Sequence, residues 1–253
     1  MKGIEFRNLS KSFGKVEALR GIDLTIDEGE FIALIGPSGC GKTTMLRHTL
    51  GLEAPTSGSV TLGGRQPNDA RRARELGYVF QRAALVPSIT ALQNVQLTLD
   101  ITRAKNALNP ERLLEDFGLG NFKHHHPHKL SGGMQQRVNI ACALVHNPGY
   151  LLMDEPFGAL DEMTKETMAE WLGEVLLKTP KTVILVTHSI EEAVMLADRI
   201  VILRARPGEI DSIVPVDLPR PRRRELKTTE AFGDLVLHVR RKLYAVEATG
   251  GKH

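Results

Sequence analysis

The chain has 253 residues, 42% of them hydrophobic and 25% charged, which are the proportions of an ordinary soluble globular protein and exclude a disordered or collagen-like chain. Its 33 Lys and Arg against 30 Asp and Glu leave a net charge of +3, too near balance to imply a nucleic-acid partner. Cys40 and Cys142 are too few for a disulfide framework or a four-cysteine zinc site and point to a reducing cytosol.

The opening residues carry no apolar core of a secretion signal, and no apolar run approaches the roughly 20 residues of a spanning helix. The expected place is inside the cell, with any membrane role peripheral. Residues 4–9 and 24–26 alternate as short strands, and 59–62 forms another, closed by Gly63 and Gly64. Residues 31–35 are apolar throughout, as a strand buried on both faces of a parallel sheet requires, and 150–153 and 182–186 repeat the pattern. Helical patterns over 42–50, 110–117, 134–145 and 190–197 alternate with them, which implies an α/β fold with helices on a mostly parallel sheet. From about 82 to 148 no buried-strand pattern appears, so this stretch is the candidate inserted helical subdomain. Residues from about 215 to 253 hold the proline-punctuated basic run 220–224, expected to be a solvated tail, with a membrane-surface or partner contact as the alternative.

Gly36-Pro37-Ser38-Gly39-Cys40-Gly41-Lys42-Thr43 fits the phosphate-loop pattern and lies between a buried strand and a helix. Glycines at this spacing let successive N–H groups turn inward at a positive helix end, an anion nest. Lys42 is placed to reach the β- and γ-phosphates and Thr43 to ligate Mg²⁺. Such a loop needs a metal-orienting carboxylate at a neighbouring strand end, and Asp154 closes the apolar run 150–153. Glu155, one residue on, is placed to take a proton from an attacking water. His188 follows the third buried strand and should reach the same sheet edge, where it is assigned to the γ-phosphate. Cys40 lies near Lys42 and a helix N-terminus, which lowers a thiol pKa; a reactive thiol and a small filler are the alternatives. His124, His125, His126 and His128 point in diverging directions with no carboxylate or thiolate nearby, so a solvated linker is expected there rather than a metal site.

Leu130-Ser131-Gly132-Gly133-Met134-Gln135-Gln136-Arg137 resembles the signature sequence of ABC-type ATPases. The other family motifs follow in order. Phe13 with Gly14 resembles the adenine-stacking loop, Gln81 after Phe80 the glutamine loop, Leu160-Asp161 the D-loop and His188 the switch histidine. The resemblance runs from about residue 4 to 209, and the wording of 153–164, 186–194 and 205–208 looks like the ATPase subunits of nitrate/sulfonate/taurine-type importers. It implies a single ABC ATPase domain: a P-loop NTPase with an N-terminal antiparallel β subdomain, a mostly parallel core sheet and an inserted α-helical subdomain. ATP would be held by Phe13, residues 36–44 through Thr44, and Mg²⁺ by Thr43, Gln81 and Asp154, with Glu155, His188 and Gln81 catalytic. Ser131, Gly132, Gly133, Gln135 and Asp161 would meet the nucleotide of a second copy, so that two chains sandwich two ATP. The physical basis is a second helix N-terminus that offers a hydroxyl and free N–H groups to a phosphate.

The resemblance further implies integral membrane permease subunits, an external solute-binding protein, and a place on the cytoplasmic face of the inner membrane. Solute choice would then lie with those partners. A soluble ABC ATPase acting on ribosomes or DNA is the alternative, disfavoured by one motif set and short connections. Three departures stand out: Cys142 where relatives usually carry arginine, Ser189 where an acidic residue is common, and a short stretch between Gln81 and the signature.

Overall fold

A computed structural model describes residues 3–158 and 160–250; Ala159, within the importer-like stretch 153–164, lies outside them. In chain order the elements are β1 (Ile4–Phe13), β2 (Val16–Ile26), β3 (Phe31–Ile35), α1 (Lys42–Thr49), β4 (Ser57–Leu62), α2 (Pro67–Arg72) and β5 (Leu76–Val79). Then come α3 (Ala91–Thr102), α4 (Pro110–Asp116), α5 (Gly132–Leu144), β6 (Tyr150–Asp154), α6 (Glu162–Lys178), β7 (Thr182–Val186), α7 (Ile190–Leu196), β8 (Arg199–Arg204), β9 (Glu209–Pro215) and α8 (Glu230–Gly250).

Two sheets result. β2-β1-β4 is an antiparallel three-stranded sheet. The larger runs β5-β6-β7-β3-β8-β9, parallel except for β9 at its edge. Every residue of β3 and β7 is buried, because both faces are covered. Phe31, Ala33 and Ile35 face the layer of α5 to α8, while Ile32 and Leu34 face α1 and the small sheet. Each such Val, Leu or Ile contributes about 1.5–3 kcal/mol through burial, which is why these strands read as unbroken apolar runs. The shared register, Leu34 beside Val186 and Asp154 beside Val186, brings the C-terminal ends of β3, β6 and β7 to one edge.

The interval 82–148 holds α3, α4 and α5. Local chemistry sets their starts: Thr90 and Gln93 form a capping box on α3, and Asn109 with Pro110 opens α4. Cys142 faces the seam between α3 and α5 beside Thr98, packed against the core.

The basic run is not a solvated tail. Arg222 is only 6% exposed and donates to the carbonyls of Val194, Ala197, Val216 and Leu218 at 2.9, 2.6, 3.0 and 3.1 Å. Arg220 donates to the Leu196 carbonyl and pairs with Asp198 at 2.7 Å. The last turn of α7 leaves carbonyls without helical partners, and these two guanidinium groups supply the missing donors. Arg224–Glu170, Lys227–Glu166 and Arg240–Glu191 then tie the C-terminal segment to α6 and α7. Phe232, Val236, Val239 and Val246 bury one face of α8.

Candidate functional site

The loop between β3 and α1 carries the phosphate-loop residues. Gly41 caps α1 at φ 94, and a Cβ there would stand 2.4 Å from Leu19 Cδ2, so only glycine fits. Gly36 is held as closely: a Cβ would sit 2.5 Å from the Leu203 carbonyl oxygen. Lys42 Nζ folds back over the loop and donates to the carbonyls of Gly36 at 2.8 Å and Pro37 at 3.1 Å. A cavity of about 240 Å³ opens above it, lined by Ala18, Ser38 to Thr44, Glu155 and His188.

At the end of β6 two successive carboxylates diverge. Asp154 faces Thr43 Oγ1 and the Tyr78 hydroxyl, each 3.4 Å away. Burial pushes its carboxyl above the usual carboxylate range, and the adjacent Glu155 charge adds to the rise. Burial and the Asp154 charge push the Tyr78 phenol up to about 12. Glu155 takes φ 47, a left-handed conformation, while its N–H donates to the Val186 carbonyl at 2.8 Å. Its carboxylate then meets His188 Nε2 at 2.5 Å and accepts from Gln81 Nε2 at 2.8 Å. Gln81, the Asp154–Glu155 pair and His188, distant in sequence, thus come together beside the phosphate loop.

Other expected site residues lie elsewhere. Phe13, 45% exposed, ends β1 with the Lys11 ammonium 4.9 Å from its ring centroid; it belongs to the same hairpin as Ala18 but does not line the cavity. Ser131 caps α5, its Oγ accepting from Met134 N at 3.3 Å. Gly133 packs on the start of α6, where a Cβ would meet Thr164 Cγ2 at 2.8 Å. Asp161 caps α6 by accepting from Thr164 N and Oγ1 at 3.0 and 2.6 Å, which hold its carboxyl below the usual range. Ser131, Gly132, Gly133 and Asp161 therefore form a second cluster, none of them on the cavity wall. Gln135 turns inward, donating to the carbonyls of Pro127 and Leu130 at 3.0 and 3.1 Å.

Cys40 corrects the reactive-thiol expectation. Its side chain is fully buried, and burial pushes the thiol up, outweighing Lys42 at 3.6 Å. In the histidine stretch His126 and His128 stack at 5.7 Å, and His125 lies 5.5 Å from the Phe122 ring. Three contacts escaped the sequence reading: Tyr78 with Asp154, and Gln136 and Asn139 with Phe80, whose carbonyl accepts from their amides at 3.3 and 3.2 Å, anchoring the residue before Gln81. Only the repeated polar side chains after the signature glycines hinted at the second pair.

Comparison with known proteins bears directly on this arrangement. The ABC transporter family profile matches residues 19–158. The chain belongs to the ABC transporter ATPase family. It is 39% identical over 247 residues to the aliphatic sulfonates import ATP-binding protein SsuB of Bacillus licheniformis, across 90% of this chain and 96% of that one. It is 39% identical over 252 residues to the taurine import ATP-binding protein TauB of Jannaschia sp., across 93% and 91%. Among solved structures, the dimeric post-hydrolysis state of the ATP-binding cassette MJ0796 bound to ADP and Pi superposes with a TM-score of 0.72 at 35% identity, over 85% of this chain and all of that one. As an ABC ATPase, the chain binds and hydrolyses ATP.

Proposed function

We propose that this chain is the ATP-hydrolysing subunit that energises an importer of a small solute of the sulfonate and taurine class. The carrying observation is the Glu155 carboxylate held between His188 Nε2 and Gln81 Nε2 over the phosphate loop. In the hydrolytic step a water oxygen attacks the γ-phosphorus while a Glu155 oxygen accepts the water proton. The bond from the γ-phosphorus to the bridging oxygen breaks, and its electron pair leaves with ADP. Lys42 Nζ exchanges its loop carbonyls for the β- and γ-phosphate oxygens, and His188 orients on the γ-phosphate.

Thr43 Oγ1 and Asp154 Oδ1, 3.4 Å apart, present the hard oxygen donors that Mg²⁺ prefers, and Gln81 stands next to them through Glu155. Bound there, Mg²⁺ would supply neutralisation of charge on the phosphate oxygens.

Because the signature serine and glycines lie off the cavity wall, their helix end is free to meet nucleotide held by another copy. The dimeric MJ0796 structure, bound to ADP and Pi, supports a dimer of cassettes; in this chain the homodimer would be closed by two ATP. Permease subunits would receive the motion, with the chain peripheral on the cytoplasmic face of the membrane and a solute-binding protein acting outside. No described helix is long and apolar enough to cross a membrane itself. The import names of relatives spanning nine-tenths of the chain favour this reading over a soluble ribosome or DNA role.

Affinity purification of the chain from native membranes tests it. Recovery of hydrophobic permease subunits, with ATPase activity stimulated by solute-loaded binding protein in proteoliposomes, is expected. Recovery of ribosomes or DNA instead refutes import.

A further inference from the structure

The switch histidine is carried by a link of three residues between β7 and α7, and the side chain of His188 is half exposed. Its position therefore depends on what holds that link. Thr187, 3% exposed, donates its hydroxyl to Glu192 Oε2 at 2.5 Å and accepts from Ser189 N at 3.0 Å. Glu192 N donates in turn to Ser189 Oγ at 3.2 Å. Three bonds within six residues thus close a ring around His188. The outer face of α7 is fixed separately by Arg240 on Glu191 at 3.0 Å.

Glu192 is an expensive way to build a helix start. It is 7% exposed, and burying a carboxyl without a paired cation costs free energy that an apolar residue would avoid. The cap on α7 needs only its backbone N–H. The cationic Lys165 and the acidic Glu162 and Glu191 face its carboxyl, whose pKa burial raises. Among the described residues, the one side-chain hydrogen bond it makes is to Thr187.

We propose that Glu192, acting through the Thr187 hydroxyl, is a positioning residue for His188, holding the switch segment so that Nε2 reaches Glu155 and the γ-phosphate. This rests on the catalytic reading of His188 given above. An acceptor at 192 and a hydroxyl at 187 are the requirements; the negative charge is not.

The test is steady-state ATPase kinetics of the full chain, with MgATP binding and melting temperature measured alongside. Thr187→Val and Glu192→Leu should each lower kcat by about tenfold, the scale of loss when a catalytic group is displaced by a fraction of an ångström, with KM for MgATP within about twofold. Thr187→Ser and Glu192→Gln restore the hydroxyl or the acceptor and should recover most of the loss. In a His188→Ala background, Thr187→Val should cost nothing further. Parental kcat in Thr187→Val, equal losses in Thr187→Val and Thr187→Ser, or a loss that multiplies with His188→Ala would each overturn the proposal. Parental turnover in His188→Ala alone would instead remove the catalytic reading of His188.

Discussion

Replacing Glu155 by glutamine separates chemistry from binding. The amide keeps the shape of the side chain and one of the two contacts, since its oxygen can still accept from Gln81 or His188, now 2.8 and 2.5 Å from the carboxylate. The other contact is weakened unless the His188 ring accepts through its other tautomer, a loss of at most about 1 kcal/mol, or roughly fivefold. Removing a general base costs far more, about 10²- to 10⁴-fold, equivalent to about 3–5 kcal/mol of barrier. Gly36, Lys42, Thr43 and Asp154 are untouched, and one negative charge facing the triphosphate disappears, so MgATP should bind as tightly as before or tighter. Single-turnover phosphate release should therefore fall at least a hundredfold, while fluorescent-nucleotide titration gives parental affinity and size exclusion with ATP shows a persistent dimer. A rate within about fivefold of the parent would be no more than the positional loss, and Glu155 would not be the base.

Ser131→Arg should leave MgATP binding by the single chain near parental yet abolish hydrolysis and ATP-driven dimerisation in light scattering, because Ser131 caps α5 off the cavity wall. Neither cysteine should react with a thiol reagent at neutral pH before unfolding, since burial raises both thiols, Cys142 to about 12 from an ordinary 9.0. By the same shift the folded chain holds thiol protons that the unfolded chain releases, so denaturant-measured stability should fall as pH rises across that window. Arg222→Met takes the donor from four carbonyl groups, three of them in buried bonds; each stranded group costs about 1–3 kcal/mol where water cannot replace the donor, and thermal unfolding should shift down accordingly. An unchanged melting temperature would deny the cap its role.

What the sequence made legible was local. The phosphate loop is contiguous with the strand and helix that frame it, so spacing alone locates Gly36 to Thr43. Asp154 and His188 follow from their places at the ends of unbroken apolar runs. Gln81, Phe13 and Asp161 became visible through resemblance. Contacts joining distant residues stayed hidden: Gln136 and Asn139 reach Phe80 across 56 and 59 residues, and Tyr78 reaches Asp154 across 76. β5 escaped notice because it is four residues long and contains Gly77, where a Cβ would stand 2.4 Å from the Ala143 carbonyl oxygen. β8 opens with Arg199, whose charge is answered by Glu30 at 2.9 Å, across the sheet rather than along the chain. The basic run misled for the same reason, its partners being helix-end carbonyls that no composition reveals. Ser189, a departure from the family pattern, proves a physical equivalent of the acidic residue, since its Oγ caps α7.

The backbone at Glu155 joins strain to division of labour. In an extended strand neighbouring side chains point to opposite faces, which would send Asp154 and Glu155 to opposite sides of the sheet and only one of them toward the phosphates. Turning Glu155 to φ 47 ends the strand abruptly and costs a non-glycine residue about 1–2 kcal/mol. The bond from its N–H to Val186 and the paired contacts of its carboxylate hold that conformation. In return both carboxylates arrive at one edge, aimed apart. Asp154 faces Thr43 and Tyr78, while Glu155 faces His188 and Gln81. Two adjacent acids on a straight strand could not both face that edge, and the left-handed turn is what would let one hold a cation while the other takes a proton, the division of labour proposed above.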